Sequence, residues 1–257
     1  MKKKGIALVE RQYLFPFVLI TSLFFLWGFA HAILDVLNKH FQELLTITRT
    51  HSAMIQATMY MGYFIMAIPA GLFINRHGYR KGVVLGLLLY GIGSLLFIPG
   101  QYIASFNMFL FSLFVIGCGL TFLETAANPY VTELGARETA ASRLNFAQSF
   151  NGLGCIFAPI LTGLLLFSDE DKGASGNVAL PYAVMGVIVL LAALAFMRVR
   201  LPEIPHEEEV DSEGHRVGLW AHKLFVFGLV ALFAYEVSEI SINSFFINYV
   251  TEVGWMN

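Results

Sequence analysis

Charged side chains cut this chain into long silent intervals. No Asp, Glu, Lys or Arg occurs within 12–34, 50–75, 82–123, 144–168 or 173–197. A helix crosses the hydrocarbon layer of a bilayer with about 20 residues. Each interval therefore predicts one crossing, except 82–123, which is long enough for two. Pro99-Gly100-Gln101 supplies the expected break between those two. A seventh stretch near 219–250 is apolar but contains Glu236 and Glu239. The pattern predicts an all-α integral membrane protein of about seven spans.

Composition agrees. The chain is 13% charged and 57% hydrophobic, with a mean hydropathy of +0.67, whereas soluble domains average about 25% charged. The net charge of −2 adds nothing, because placement matters more than balance. Cys118 and Cys155 lie in apolar runs and read as packing residues, not as a disulfide framework or a metal site. Neither His-Glu-x-x-His nor Gly-x-Ser-x-Gly occurs. No enzyme activity, metal, cofactor or nucleic-acid partner is expected, and the bilayer itself is the first partner. Lys2-Lys3-Lys4 and Ala30-His31-Ala32 imitate a cleaved signal peptide. The apolar stretch between them exceeds the 7–15 residues of such a segment, and further spans follow, so an uncleaved first helix is expected.

Loop charges orient the spans. With the N-terminus in the cytoplasm, thirteen Lys and Arg fall inside, and only Lys39, Arg49 and Lys172 fall outside, a strong positive-inside bias. The polar segment 201–217 is rich in acids and reads as a solvated cytoplasmic linker. The expected organisation is a six-helix bundle over 1–200, a linker over 201–218, and a seventh helix over 219–257 that opens a second, incomplete bundle.

Polar groups inside the spans point to chemistry. A charged side chain at mid-membrane costs about 2.5–3.5 kcal/mol on insertion scales. Raising a Glu pKa from about 4.3 to about 7 costs a similar amount, at about 1.36 kcal/mol per unit. A carboxyl in a span is thus poised to titrate near neutrality. Asp35, late in the first span, and Glu124, in the fourth, are the candidates, although either would also serve as a helix cap or an interhelix bond. Glu124 shares a helix face with Asn128, and Pro129 frees the carbonyl of Thr125, so a wet, irregular patch is expected there. Asn145, Gln148, Asn151 and Gly152 draw one polar stripe along the fifth span. Amides joining helices would account for one or two of them, and a polar cavity for the whole stripe. Amides and carboxylates each pair with two hydroxyls, as sugar recognition requires. His31 lies four residues before Asp35 on the same face, where packing and a His–Asp relay are both open readings. Glu236 and Glu239 form another candidate pair.

Between the second and third spans runs Gly71-Leu-Phe-Ile-Asn75-Arg76-His77-Gly78-Tyr79-Arg80-Lys81. Its bases anchor topology, and Gly71 and Gly78 allow a tight turn between close helices. Gly71, Arg76, Gly78, Arg80 and Lys81 resemble the loop motif of the major facilitator superfamily, with Asn75 in place of that motif's acid. Phe25-Leu-Trp27-Gly28-Phe29 through Asp35, Leu123-Glu124-Thr-Ala-Ala-Asn128-Pro129-Tyr130, Arg143-Leu-Asn145-Phe-Ala-Gln148-Ser-Phe-Asn151 and Asn243-Ser-Phe-Phe-Ile-Asn-Tyr249 resemble more narrowly the fucose/galactose/glucose:proton symporters of bacteria.

That resemblance implies two six-helix halves, of which this chain holds the first and one helix of the second. It implies proton-coupled carriage of L-fucose or a related hexose across the bacterial inner membrane by alternating access. Asp35 and Glu124 would be the coupling carboxyls. Gln148, Asn151, Asn145, Asn128, His31 and Asn243 would contact the sugar. The missing C-terminal half would be needed for a complete transporter. The alternatives are a truncated or split chain without transport, or a sugar-binding membrane sensor.

Overall fold

Inside hydrocarbon no water is present to satisfy peptide groups, so a spanning chain closes its backbone hydrogen bonds on itself. The computed structural model describes residues 7–44, 49–167, 179–199, 220 and 222–253, with the side chains of 35–44, 49, 50, 52, 165–167, 243–245, 247, 248, 251 and 252 excepted. Almost all of these residues are helical: α1 (Leu14–Leu44), α2 (Arg49–His77), α3 (Tyr79–Leu95), α4 (Phe97–Ile103), α5 (Phe106–Glu133), α6 (Ala140–Phe167), α7 (Ala179–Arg198) and α8 (Lys223–Glu252). Among the described residues six stretches are long and apolar enough to cross a bilayer: Arg11–Leu34, Ala53–His77, Tyr79–Ile103, Phe106–Glu133, Ala179–Arg198 and Lys223–Ile242. The remaining expected span is α6, whose 28 residues also reach across a bilayer at about 1.5 Å per residue. Contacts divide the chain into two units, Met1–Ile204 and Pro205–Asn257. The first holds α1 to α7 and the second holds α8. The expected linker 201–218 lies outside the described residues.

The break expected at Pro99-Gly100-Gln101 lies elsewhere. All three residues belong to α4. Pro99 occupies the third position of that helix, where the missing N–H deprives it of no bond. The chain reverses instead at Ala104, which adopts the left-handed conformation (φ 49°). Ser105 then caps α5, its hydroxyl accepting from the Met108 N–H at 3.4 Å.

Within the first unit α1 packs on α6, α2 on α5, and α3 on both α5 and α7. Lipid tails are as apolar as leucine, so close approach of small residues drives such packing. A Cβ on Gly28 would strike the carbonyl of Asn151, three residues before Gly154, and a Cβ on Gly154 would strike that of Phe25, three residues before Gly28. The α2–α5 crossing repeats the offsets. Gly117 faces the carbonyl of Met59, three before Gly62, and Gly62 faces that of Phe114, three before Gly117. Both cysteines sit beside these glycines: Cys118 Sγ lies 4.0 Å from the Gly62 carbonyl and Cys155 Sγ 3.5 Å from that of Gly28. The two crossings are thus one device used twice.

Gly28→Ala tests that device. The neighbour in the way is backbone, which cannot swing aside, so the added methyl forces α1 and α6 apart at a cost of about 1–3 kcal/mol or more. A lowered melting temperature in detergent is expected. An unchanged melting temperature would show that the crossing is looser than described.

The α2–α3 turn rests on one residue, Gly78, whose φ of +86° suits glycine alone. Gly71 lies inside α2 with open space around it, so the expected two-glycine turn is a one-glycine turn. Arg76 and Lys81 are exposed. Arg80 reaches α7, where its Nε donates to the Phe196 carbonyl at 3.1 Å and its Nη2 to that of Met197. A guanidinium there satisfies carbonyls left open at the helix end and meets the negative end of the helix dipole.

Candidate functional site

Three helices bring a polar cluster together inside the first unit. Trp27 and His31 are four residues apart on α1, and Tyr60 and Tyr63 three apart on α2, so each pair shares a helix face. The Trp27 indole N–H donates to the Tyr63 hydroxyl at 3.1 Å, and His31 Nε2 pairs with the same hydroxyl at 3.0 Å. The His31 ring stands 6.1 Å from Trp27, edge-on, and lies 5.8 Å from Tyr63 and 6.1 Å from Tyr60. All four side chains are half-buried. Glu124 of α5 is also half-buried, within electrostatic reach of Tyr63. Hydrogen bonds in such a setting are stronger than in water, and an unmet polar group costs more.

The amides of α6 take separate roles. Gln148 Nε2 donates to Asn128 Oδ1 at 3.4 Å, joining α6 to α5. Asn151 Nδ2 donates to the Phe24 carbonyl at 3.3 Å, joining α6 to α1. Asn145 is exposed and Asn128 half-buried. Two of the amides thus bind helices together. Pro129 leaves α5 unbroken from Phe106 to Glu133, and Thr125 Oγ1 bonds back to the Thr121 carbonyl at 2.7 Å.

The repeated crossings locate the two acids. Asp35 follows Gly28 by seven residues, and Glu124 follows Gly117 by seven. Each acid is therefore about 10 Å along its helix from its own crossing. The side chain of Asp35 lies outside the described residues, and so does that of Asn243 in α8. Glu236 and Glu239 are exposed within the second unit.

The sequence model of the Major Facilitator Superfamily matches residues 17–256. This chain belongs to the Major Facilitator Superfamily. Over 247 residues it is 35% identical to the glucose/galactose transporter of Brucella abortus, covering 95% of this chain and 60% of that one. Over 267 residues it is 34% identical to the L-fucose-proton symporter of Escherichia coli, covering 95% and 61%. The crystal structure of the E. coli fucose:proton symporter FucP superposes with a TM-score of 0.64 at 37% identity, covering 75% of this chain and 50% of that one. The chain spans about 60% of the length of these curated relatives.

Membership of the superfamily accounts for the helical architecture and for the loop carrying Gly78 and Arg80. It leaves the Tyr63 node unexplained. Sequence reasoning had reached His31 and Glu124, and had named Trp27 only within a matching segment. It missed Tyr60 and Tyr63. The signal available was two pairs of polar-tipped aromatic or imidazole residues at helical spacing in consecutive spans.

Proposed function

We propose that this chain is the sugar- and proton-handling half of a hexose:proton symporter of a bacterial inner membrane, with its N-terminus in the cytoplasm. On this reading 1–200 forms the first bundle, 201–218 a cytoplasmic linker and 219–257 the opening of the second bundle. The single observation that carries the reading is Glu124, an acid half-buried in a membrane bundle, in a chain similar along nearly its whole length to an L-fucose-proton symporter. Glu124 takes a proton from the outside, the cavity admits sugar, the loaded carrier rocks, and both leave inside. Asp35, late in the first span, couples sugar binding to that proton. Gln148, Asn151, Asn145, Asn128, His31 and Asn243 contact the sugar hydroxyls. Inverted repeats of this kind place binding residues between their units.

The test is uptake of labelled L-fucose, galactose and glucose into vesicles bearing the complete carrier, with and without an inward proton gradient. Accumulation of one of them above the external concentration, lost when the gradient is dissipated, is the expected result. Uptake that ignores the gradient would refute proton coupling, and no uptake of any hexose would refute the substrate class.

A further inference from the structure

The two helices that Arg80 joins leave a cleft between them. α3 and α7 pack together and touch closely where Gly91 faces Gly186. A Cβ on Gly91 would stand 3.4 Å from the Gly186 carbonyl, and one on Gly186 would stand 3.1 Å from that of Gly91. From this contact Lys81 is ten residues away on α3 and Met197 eleven on α7, about 15 Å along each helix. At that end Arg80 bridges the pair, its Nε donating to the Phe196 carbonyl at 3.1 Å and its Nη2 to that of Met197. A cavity of about 260 Å³ lies between the two helices there, lined by Arg80, Lys81, Val84, Leu85, Leu88 and Met197.

We propose that this cleft binds an anionic phospholipid, with the phosphate at Lys81 and Arg80 and an acyl chain along Val84, Leu85, Leu88 and Met197. The inference goes beyond the transport reading and needs only a chain that spans a bilayer. In the orientation proposed above, the lipid belongs to the cytoplasmic leaflet.

The lining sorts by depth. Lys81, Val84, Leu85 and Leu88 recur at steps of three and four, so they form one stripe of α3 that runs about 10 Å from the base to the aliphatic end. A buried water requires two to four polar partners, and the aliphatic end offers none. Walls without partner atoms forgo their dispersion contacts. A bilayer supplies a filling of that shape and polarity, the acyl chain.

The mouth is cationic, and neither helix that forms it carries an Asp or Glu. Lys81 is exposed and bonded to no partner among the described residues. A guanidinium has five N–H donors, and Arg80 spends two of them on the α7 carbonyls. Arg198, next to Met197, and Arg76, across the Gly78 turn, are two further exposed bases at the same ends of their helices. Guanidinium and ammonium groups both bind phosphate, and basic pockets between spanning helices take acidic headgroups. A zwitterionic headgroup would bring its own cation to this mouth, so the charge selects an anionic lipid.

Native mass spectrometry of the detergent-purified chain, titrated with dioleoyl phosphatidylglycerol or dioleoyl phosphatidylcholine, tests the site. The chain is expected to hold phosphatidylglycerol the more tightly. Lys81→Gln, at an exposed position, is expected to weaken that binding about fivefold, the worth of one base near a lipid surface. Leu85→Trp fills the cleft and keeps both bases, and is expected to abolish the preference. A phosphatidylglycerol with a photoreactive diazirine in its acyl chain is expected to label the segments around Leu88 and Met197. Equal retention of the two lipids, or an unchanged affinity in either variant, would overturn the site. So would labelling as dense at exposed apolar residues elsewhere, such as Phe64 of α2. Displacement of the lipid by an equal concentration of glycerol phosphate would mean a phosphate site without a chain. Binding that appears only when Glu207, Glu208 and Glu209 are changed to Gln would give the mouth to the acidic segment after α7, and would overturn the proposal too. Sugar uptake decides the transport reading separately.

Discussion

Glu124→Gln is expected to abolish sugar accumulation while leaving exchange of sugar across the membrane. Glutamine keeps the size of the side chain and much of its hydrogen bonding, so the half-buried position on α5 remains filled. It cannot take up or release a proton, and the gradient then has nothing to act on. One charge moved through 100 mV is worth about 2.3 kcal/mol, or roughly fiftyfold in concentration ratio. In the variant that ratio is expected to fall to about one, a loss of the entire driven component. Counterflow needs only that the loaded carrier rock back and forth, so preloaded vesicles are expected to go on exchanging labelled for unlabelled sugar. Asp35→Asn is expected to behave likewise. Accumulation at the wild-type level in either variant would remove that residue from the coupling step.

The second large effect concerns stability and a residue far from the cluster. Arg143, near the start of α6, is fully buried, with no exposed surface. Its Nε donates to the Val131 carbonyl at 3.1 Å, and its Nη2 to that of Thr132. Its Nη1 donates to the carbonyls of Leu8 at 3.2 Å and Ala136 at 3.0 Å, and to the Thr139 hydroxyl at 2.6 Å. One guanidinium therefore closes the last turn of α5, the connection to α6 and the approach to α1. Helix ends leave carbonyls without partners, and a cation there also meets the dipole. Arg143→Leu would strand those acceptors away from water. Each stranded polar group costs about 1–3 kcal/mol, and partial relaxation limits the sum, so a loss of roughly 3–5 kcal/mol is expected. Arg143→Lys should recover less than half, because an ammonium is a point charge without the planar fork that reaches several directions at once. Thermal denaturation in detergent, with proteolysis of the segment before α1 as a second readout, checks both. A melting temperature within experimental error of wild type for Arg143→Leu would mean that water replaces the guanidinium without cost.

Arg143 shows why some of this architecture was hidden. In the sequence it is one of thirteen bases assigned to the inner side, and nothing in its spacing separates it from Arg137 or Arg198. Apart from the Thr139 hydroxyl its partners are backbone carbonyls on three other segments, and carbonyls carry no residue identity. The same holds for Arg80, whose partners are the last carbonyls of α7. Asn151 and Gln148 drew attention as a stripe, and the stripe is present on α6. Yet each reaches a different neighbour, because α6 is wedged between α1 and α5. Periodicity places residues on a face of a helix but does not say which neighbour that face meets.

What the chain determines by itself is roughly where each long apolar helix lies, although α1 and α5 each run ten residues past the end of their uncharged interval. Desolvating a charge costs too much for an uncharged interval of 20 residues to be anything but a span, and that cost is local, so it can be read locally. Even there Pro99 misled, because proline breaks a helix only beyond its first turn. The acids in the spans were also legible, since their expense is evident without knowing their neighbours. Only the tertiary structure decided that Gly28 and Gly154 cross as Gly117 and Gly62 do, and that Tyr63 joins His31 to Trp27. Those facts depend on which helices touch and at what height, and contacts between residues 30 to 130 positions apart leave no trace in the periodicity of either partner.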